Sequence, residues 1–139
     1  MTPDVAVIGG GIVGCALAAF LAEGGARVML YEREAIAAGA SGRNSGVVQD
    51  TLDPVFAGLY EESLEHYRTL GHGFELPAEP AGLLLVSDRP IEPVPNATYL
   101  EGAELRKAEP ALADGLVAYR IETGRPVPPA AAAHAFAAR

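Results

Sequence analysis

Residues 5–14, VAVIGGGIVG, set three consecutive glycines between a run of β-formers and an apolar repeat. Gly9, Gly11 and Gly14 fit the spacing G-x-G-x-x-G, and the chemistry that spacing serves is the binding of a diphosphate. Gly9 permits a tight turn. Gly11 lets the backbone approach a pyrophosphate with no Cβ in the way, and Gly14 lets the following helix lie close on the strand. Ile12 and Val13 open that helix, where unpaired N–H groups and the partial positive charge of the dipole suit an anion. Glu32 stands 18 residues beyond Gly14, where it can accept hydrogen bonds from a ribose diol. A carboxylate there also disfavours a cofactor carrying a 2′-phosphate. Arg33 either contacts the cofactor or is a solvated surface arginine.

These groups need a strand, a helix and a second strand to hold them. Val5–Ile8 reads as a buried parallel strand. Ile12, Val13, Leu17, Phe20 and Leu21 recur at helical spacing, and Gly24-Gly25 ends the helix with a left-handed cap. Residues 26–32, ARVMLYE, read as a second buried strand, completing a right-handed βαβ unit. Residues 33–49 begin as a short helix and become a Gly/Ser loop. Asp53-Pro54 reads as an N-cap and first helical position. Val55, Phe56, Leu59, Tyr60, Leu64, Tyr67 and Leu70 form the apolar side of the next helix, which Gly71 stops. Residues 82–87 form a third strand, 88–99 are proline-broken and irregular, 103–108 a short helix, and 116–121 a fourth strand. Pro129 opens an alanine-rich helix. The motif alone leaves FAD and NAD open.

Composition narrows the classes. Ten Lys and Arg against 18 Asp and Glu give a net charge of −8, with no basic cluster, so nucleic acid and anionic membranes are poor partners. Half the residues are hydrophobic, as in a globular domain, yet no stretch approaches the ~20 apolar residues of a membrane span. The N-terminus lacks the basic region of a signal peptide. The single cysteine, Cys15, excludes an intrachain disulfide, fits a cytoplasmic protein, and reads as a small buried hydrophobe. His66, His72 and His134 are scattered, with no metal-site spacing, and no hydrolase or zinc-protease motif is present.

The stretch DVAVIGGGIVGCALAAFLAEGGARVMLYERE, followed by GASGRNSGVV, resembles the N-terminus of the FAD-dependent D-amino acid oxidase superfamily, which includes glycine and sarcosine oxidases and D-amino acid dehydrogenases. GLLLVS, ELRKAEPAL and GRPVPPAAAAHAFAAR continue the resemblance more loosely. In that family a Ser-Gly-Arg-Asn-Ser-Gly loop wraps the flavin and its diphosphate. The resemblance therefore implies FAD as cofactor and adds Ser41, Gly42, Arg43, Asn44, Ser45 and Gly46 to Gly9, Gly11, Ile12, Val13, Gly14, Glu32 and Arg33. Some relatives hold flavin covalently through a His in this loop; here there is no His or Cys, which implies noncovalent binding. The chain departs from the family where a helix often follows the GLLLVS strand, since 88–99 is proline-rich.

The expected fold is α/β: a Rossmann-like FAD-binding βαβ with a parallel sheet, plus the beginning of a mixed α+β substrate domain, and incomplete. The expected divisions are 1–79 for the FAD-binding part, 80–126 for the first substrate segment and 127–139 for the returning helix. The expected function is oxidation of an amino acid, amine or 2-hydroxy acid at Cα by hydride transfer to flavin. The resemblance implies a small-molecule substrate and catalytic groups that lie mostly in a part of the family's longer chains not represented here. Two other readings stay open: a non-catalytic dinucleotide-binding subunit of a split enzyme that needs a complementary chain, and a fragment of an NAD-dependent dehydrogenase.

Overall fold

The computed structural model describes residues 2–139. In chain order the elements are β1 (Val5–Ile8), α1 (Ile12–Glu23), β2 (Val28–Tyr31), a 3-10 turn (Ala40–Gly42), β3 (Val47–Val48), α2 (Ala57–Thr69), β4 (Leu83–Ser87), β5 (Thr98–Glu101), α3 (Gly102–Ala108), β6 (Val117–Ile121), β7 (Arg125–Pro126) and α4 (Ala131–Ala138). They fall into two compact units: the chain up to Ala78 with Pro126–Arg139, and Glu79–Arg125. None of the helices is long and apolar enough to cross a membrane among the described residues.

In the first unit β1 and β2 pair in parallel, Val5 opposite Val28 through Ile8 opposite Tyr31. The Asp4 carboxylate grips Arg27 through its backbone N–H, Nε and Nη2, fastening the strand entrances together. The strands alternate: Val7 is buried toward α1, with Leu30 packed on the same core, whereas Ile8, Met29 and Tyr31 are exposed on the opposite face. The helices meet through small residues. Cys15 and Ala19 of α1 pack against Ala132, Ala133, Ala135 and Phe136 of α4, joined by Leu70 and Phe74. Side chains this small let helices approach closely. Phe136 then meets Phe20 edge-on at 5.6 Å, and Arg139 pairs with Glu23 at 2.5 Å.

The second unit is an antiparallel sheet with β6 between β4 and β5. Ala118, Ile121 and Leu105 of α3 are buried, and Tyr99 and Tyr119, directly opposite across the strands, contact edge-on at 5.3 Å.

Several elements depart from the sequence expectations. β5 lies at the end of the stretch read as irregular, and the two-residue β3 and β7 carry no periodicity to detect. No helix forms in residues 33–39; they are turns. The Asp53 carboxylate accepts the N–H of Val55, as the expected cap would, but residues 54–56 form a turn, with Phe56 N–H donating to Asp53 O, and regular α2 starts only at Ala57. The apolar side of α2 is only partly used: Leu64 and Leu70 are buried, but Val55, Phe56 and Leu59 are exposed. The end of α1 agrees with expectation: of the Gly24-Gly25 pair, Gly25 takes the left-handed conformation, φ +90°.

Phe136 anchors the first unit's core, so Phe136→Ala is expected to lower unfolding free energy by about 3–5 kcal/mol. Val55→Ala, at a side chain 79% exposed, is expected to change it by less than about 0.5 kcal/mol. Urea denaturation midpoints of the two variants test the contrast.

Candidate functional site

The turn from β1 into α1 is built almost entirely of backbone. Gly9 has φ +107°, a conformation open to glycine, and its N–H donates to Tyr31 O at 2.8 Å, carrying the parallel pairing one residue past the strand. A Cβ on Gly14 would sit 2.0 Å from Gly9 O, so only glycine lets α1 rise this close to the turn. Gly10 was not among the expected site residues, and it is equally constrained. A Cβ there would lie 2.8 Å from Ile36 Cδ1 and 3.1 Å from Glu32 Cβ and Cγ. Its O accepts the N–H of Ala37 at 2.8 Å. Its place as the middle glycine of the triplet was the only signal for it.

Glu32 closes the turn. Its Oε2 accepts the Gly10 N–H at 2.7 Å and its Oε1 accepts the Glu34 N–H at 2.9 Å. The Gly10 bond, then the Glu34 bond, hold the carboxyl below the ordinary glutamate range. A carboxylate offers about four acceptor positions, and the backbone N–H groups of Gly10, Glu34 and, more weakly, Arg33 do not fill them all. Beside it, burial pushes the Cys15 thiol up and the Glu32 charge adds to the shift, which keeps the thiol protonated and inert.

The loop at 40–46 reaches the same helix end. Ser41 Oγ accepts the Ile12 N–H at 2.9 Å and would lie 3.0 Å from a Cβ on Gly11. The other first-turn N–H groups of α1, those of Val13 and Gly14, have no acceptor within the helix, and no acidic side chain stands in that turn. Asn44 spends its amide on the loop itself: Nδ2 donates to Ala40 O and Ser41 O, and Oδ1 accepts the Gly46 N–H at 2.7 Å. Gly42 would clash with Ala37 O at 2.3 Å if it bore a Cβ, and Gly46, φ +66°, with Val127 O at 2.2 Å. Gly46 is thus a packing position under the segment leading to α4, whose Val127 N–H donates to Gly46 O. Ser45 is exposed. Arg43 lines a hollow of about 300 Å³ with Glu32, Arg33, Glu34, Ala38 and Gly39. Arg33, its side chain 89% exposed, lies 3.4 Å from Glu34. His66 lies 5.0 Å from the Phe20 ring, the two planes tilted by 55°, with its Nε2 4.0 Å from Glu62. Among the described residues no group of His, Cys, Asp and Glu is arranged to hold a metal.

A glycine turn closed onto a helix N-terminus by an acidic residue from the second strand is the nucleotide-binding βαβ arrangement. The family model for FAD dependent oxidoreductases matches residues 4–139. The chain belongs to that family. Its fold is similar to that of glycine oxidase from Bacillus cereus, with TM-score 0.75 and 25% identity, covering 99% of this chain and 43% of that one. It is also similar to iminodiacetate oxidase from Chelativorans sp. BNC1, with TM-score 0.65 and 28% identity over 97% of this chain and 43% of that one. A shorter match, 61% identical over 51 residues, links 37% of the chain to 9% of the carotenoid phi-ring synthase of Streptomyces griseus. The chain thus spans less than half the length of each of these proteins.

Two outcomes follow from this geometry. Gly14→Ala should destabilise the fold by about 3 kcal/mol or more, because the clash is with backbone and not with a movable side chain; thermal unfolding measures it. Glu32, with its folded pKa depressed, adds stability above the unfolded glutamate value of about 4.3, and this is lost as pH falls through the folded value. The stability difference between wild type and Glu32→Gln should therefore shrink from pH 7 to pH 3; a difference constant with pH would contradict it.

Proposed function

We propose that this chain carries the FAD-binding face of an oxidoreductase acting on an amine next to a carboxylate. The observation that carries the reading is the Glu32–Gly10 hydrogen bond, which sets a partly unused carboxylate beside the free N–H groups of α1. In this reading Gly11, Val13 and Gly14 receive the diphosphate on their N–H groups. Glu32 receives the ribose diol on its remaining acceptor capacity, and no Cβ at Gly9, Gly11 or Gly14 stands between. Ser41, already accepting from Ile12, keeps its hydroxyl proton to donate to a phosphate oxygen. Ile12 positions that hydroxyl, and Arg43 and Arg33 bring cations to the hollow beside Glu32. Gly42, Asn44, Ser45 and Gly46 shape the loop that faces the cofactor. FAD, when bound, supplies the acceptor for the hydride leaving the substrate's Cα as an amine becomes an imine.

The substrate class rests on the two oxidases above, whose names, glycine oxidase and iminodiacetate oxidase, share an amine one carbon from a carboxylate. A 2-hydroxy acid remains the alternative within the same chemistry. The single buried thiol of Cys15 is compatible with a reducing compartment such as the cytoplasm.

A second reading concerns the rest of the sheet. Ile8 is 88% exposed, with Met29 and Tyr31 beside it on the face opposite α1. Parallel sheets are stable when both faces are covered. A further polypeptide segment, continuous with this chain or supplied as a complementary subunit, covers that face and provides the remaining strands and catalytic groups.

The visible spectrum of the purified chain tests both readings. A yellow chain that loses its colour on Gly11→Val supports the cofactor site, and unchanged flavin in that variant overturns it. A chain that turns yellow only with the complementary segment supports the second reading, and full flavin content alone overturns it. Glu32→Ala should weaken FAD about tenfold, and an unchanged dissociation constant would remove Glu32 from the site.

A further inference from the structure

Among the described residues, Ala37, Leu52, His72 and Asn96 are the non-glycines with positive φ. Leu52, His72 and Asn96 stand exposed in turns and bends. Ala37 differs from them. Its φ is +60°, yet it is only 5% exposed and packs in the core with Cys15 and Ala19 of α1. The left-handed region crowds a Cβ against its own backbone, and glycine is the residue that enters it freely. An alanine stays there only where its surroundings hold it.

Three contacts hold Ala37. Its N–H donates to Gly10 O at 2.8 Å. Its O faces Gly42, where a Cβ would come within 2.3 Å. Its methyl lies in the core, 3.5 Å from the place that same Cβ would take. Each end of this clip leads to a part of the site. Gly10 N–H is the group gripped by the Glu32 carboxylate. Gly42 ends the 3-10 turn that carries Ser41, whose Oγ accepts the Ile12 N–H at 2.9 Å. The far end of the loop is tied separately, by the Val127 N–H on Gly46 O. Ala37 therefore links the acid-closed turn to the serine at the helix end.

We propose that Ala37 is a positioning residue: its left-handed backbone, locked by the buried methyl, sets the Ser41 hydroxyl at the N-terminus of α1. What that hydroxyl meets rests on the flavin reading; how it is placed does not. Glycine would enter the same conformation without strain, but with no methyl in the core it would leave as easily.

The test is a double-mutant cycle on Ala37→Gly and Ser41→Ala. It is read by the dissociation constant for FAD and by amide hydrogen exchange of the ¹⁵N-labelled chain without FAD. Ala37→Gly should leave the thermal midpoint nearly unchanged, since relief of strain offsets the lost methyl. It should still weaken FAD about tenfold, as should Ser41→Ala, the worth of one hydrogen bond to a charged group. The double variant should lose no more than either single one, because Ala37 acts through Ser41. Without FAD, Ala37→Gly should speed exchange of the Ala37 and Ile12 amides and leave that of Cys15, which donates to Gly11 O, unmoved. Losses that multiply in the double variant, or unchanged exchange at Ile12, would overturn the proposal. So would a loss of FAD affinity that tracks a fall in thermal midpoint. A wild-type chain that binds no FAD fails the flavin reading alone, and exchange at Ile12 then decides the positioning claim.

Discussion

One hydrogen bond organises the first unit: the Glu32 carboxylate accepting the Gly10 N–H at 2.7 Å. It joins the end of β2 to the turn after β1, two points 22 residues apart that the parallel pairing has already brought side by side. Without an acceptor, the N–H of a tight glycine turn would have to find water under Ile36. With it, the turn is held in the conformation that leaves the Val13 and Gly14 N–H groups of α1 without an acceptor in the helix, while Ile12 donates to Ser41. The same carboxylate that orders the turn is the group proposed to meet a sugar diol, so on that reading structure and recognition meet at one residue.

The close approach of α1 to the turn depends on absent side chains. Gly9, Gly10 and Gly14 each lack a Cβ for a different reason: a left-handed backbone, a roof formed by Ile36 and Glu32, and contact with a carbonyl oxygen. The alanines of α4 play the same part on the other side of α1, where small side chains let two helices meet and leave Phe20 and Phe136 to fill the margin. The cost of such close packing is a small apolar interior, and the exposed row Ile8, Met29 and Tyr31 shows that the sheet is covered on one face only.

The βαβ unit, its glycine spacing and Glu32 were legible in the sequence because backbone sterics fix them locally: a turn of this kind requires glycine wherever a Cβ would strike backbone. Gly10 was hidden because its constraint comes from Ile36, 26 residues away. Gly46 read as a cofactor-facing loop residue, yet its missing Cβ makes room for Val127, a contact no local pattern encodes. β5 escaped notice because four residues on a sheet edge, next to a proline-broken segment, show too little alternation. The exposure of Val55, Phe56 and Leu59 was equally hidden, since an apolar periodicity states which side of a helix wants burial and not what arrives to bury it.

The central claim is that a dinucleotide's diphosphate lies on the N–H groups where β1 hands over to α1. Amide NMR of the chain titrated with FAD tests it most directly. The account expects the largest shifts at Gly11, Val13 and Gly14, with Glu32 and its neighbours moving alongside. If those amides stay fixed while FAD saturates signals elsewhere in the chain, the account is wrong.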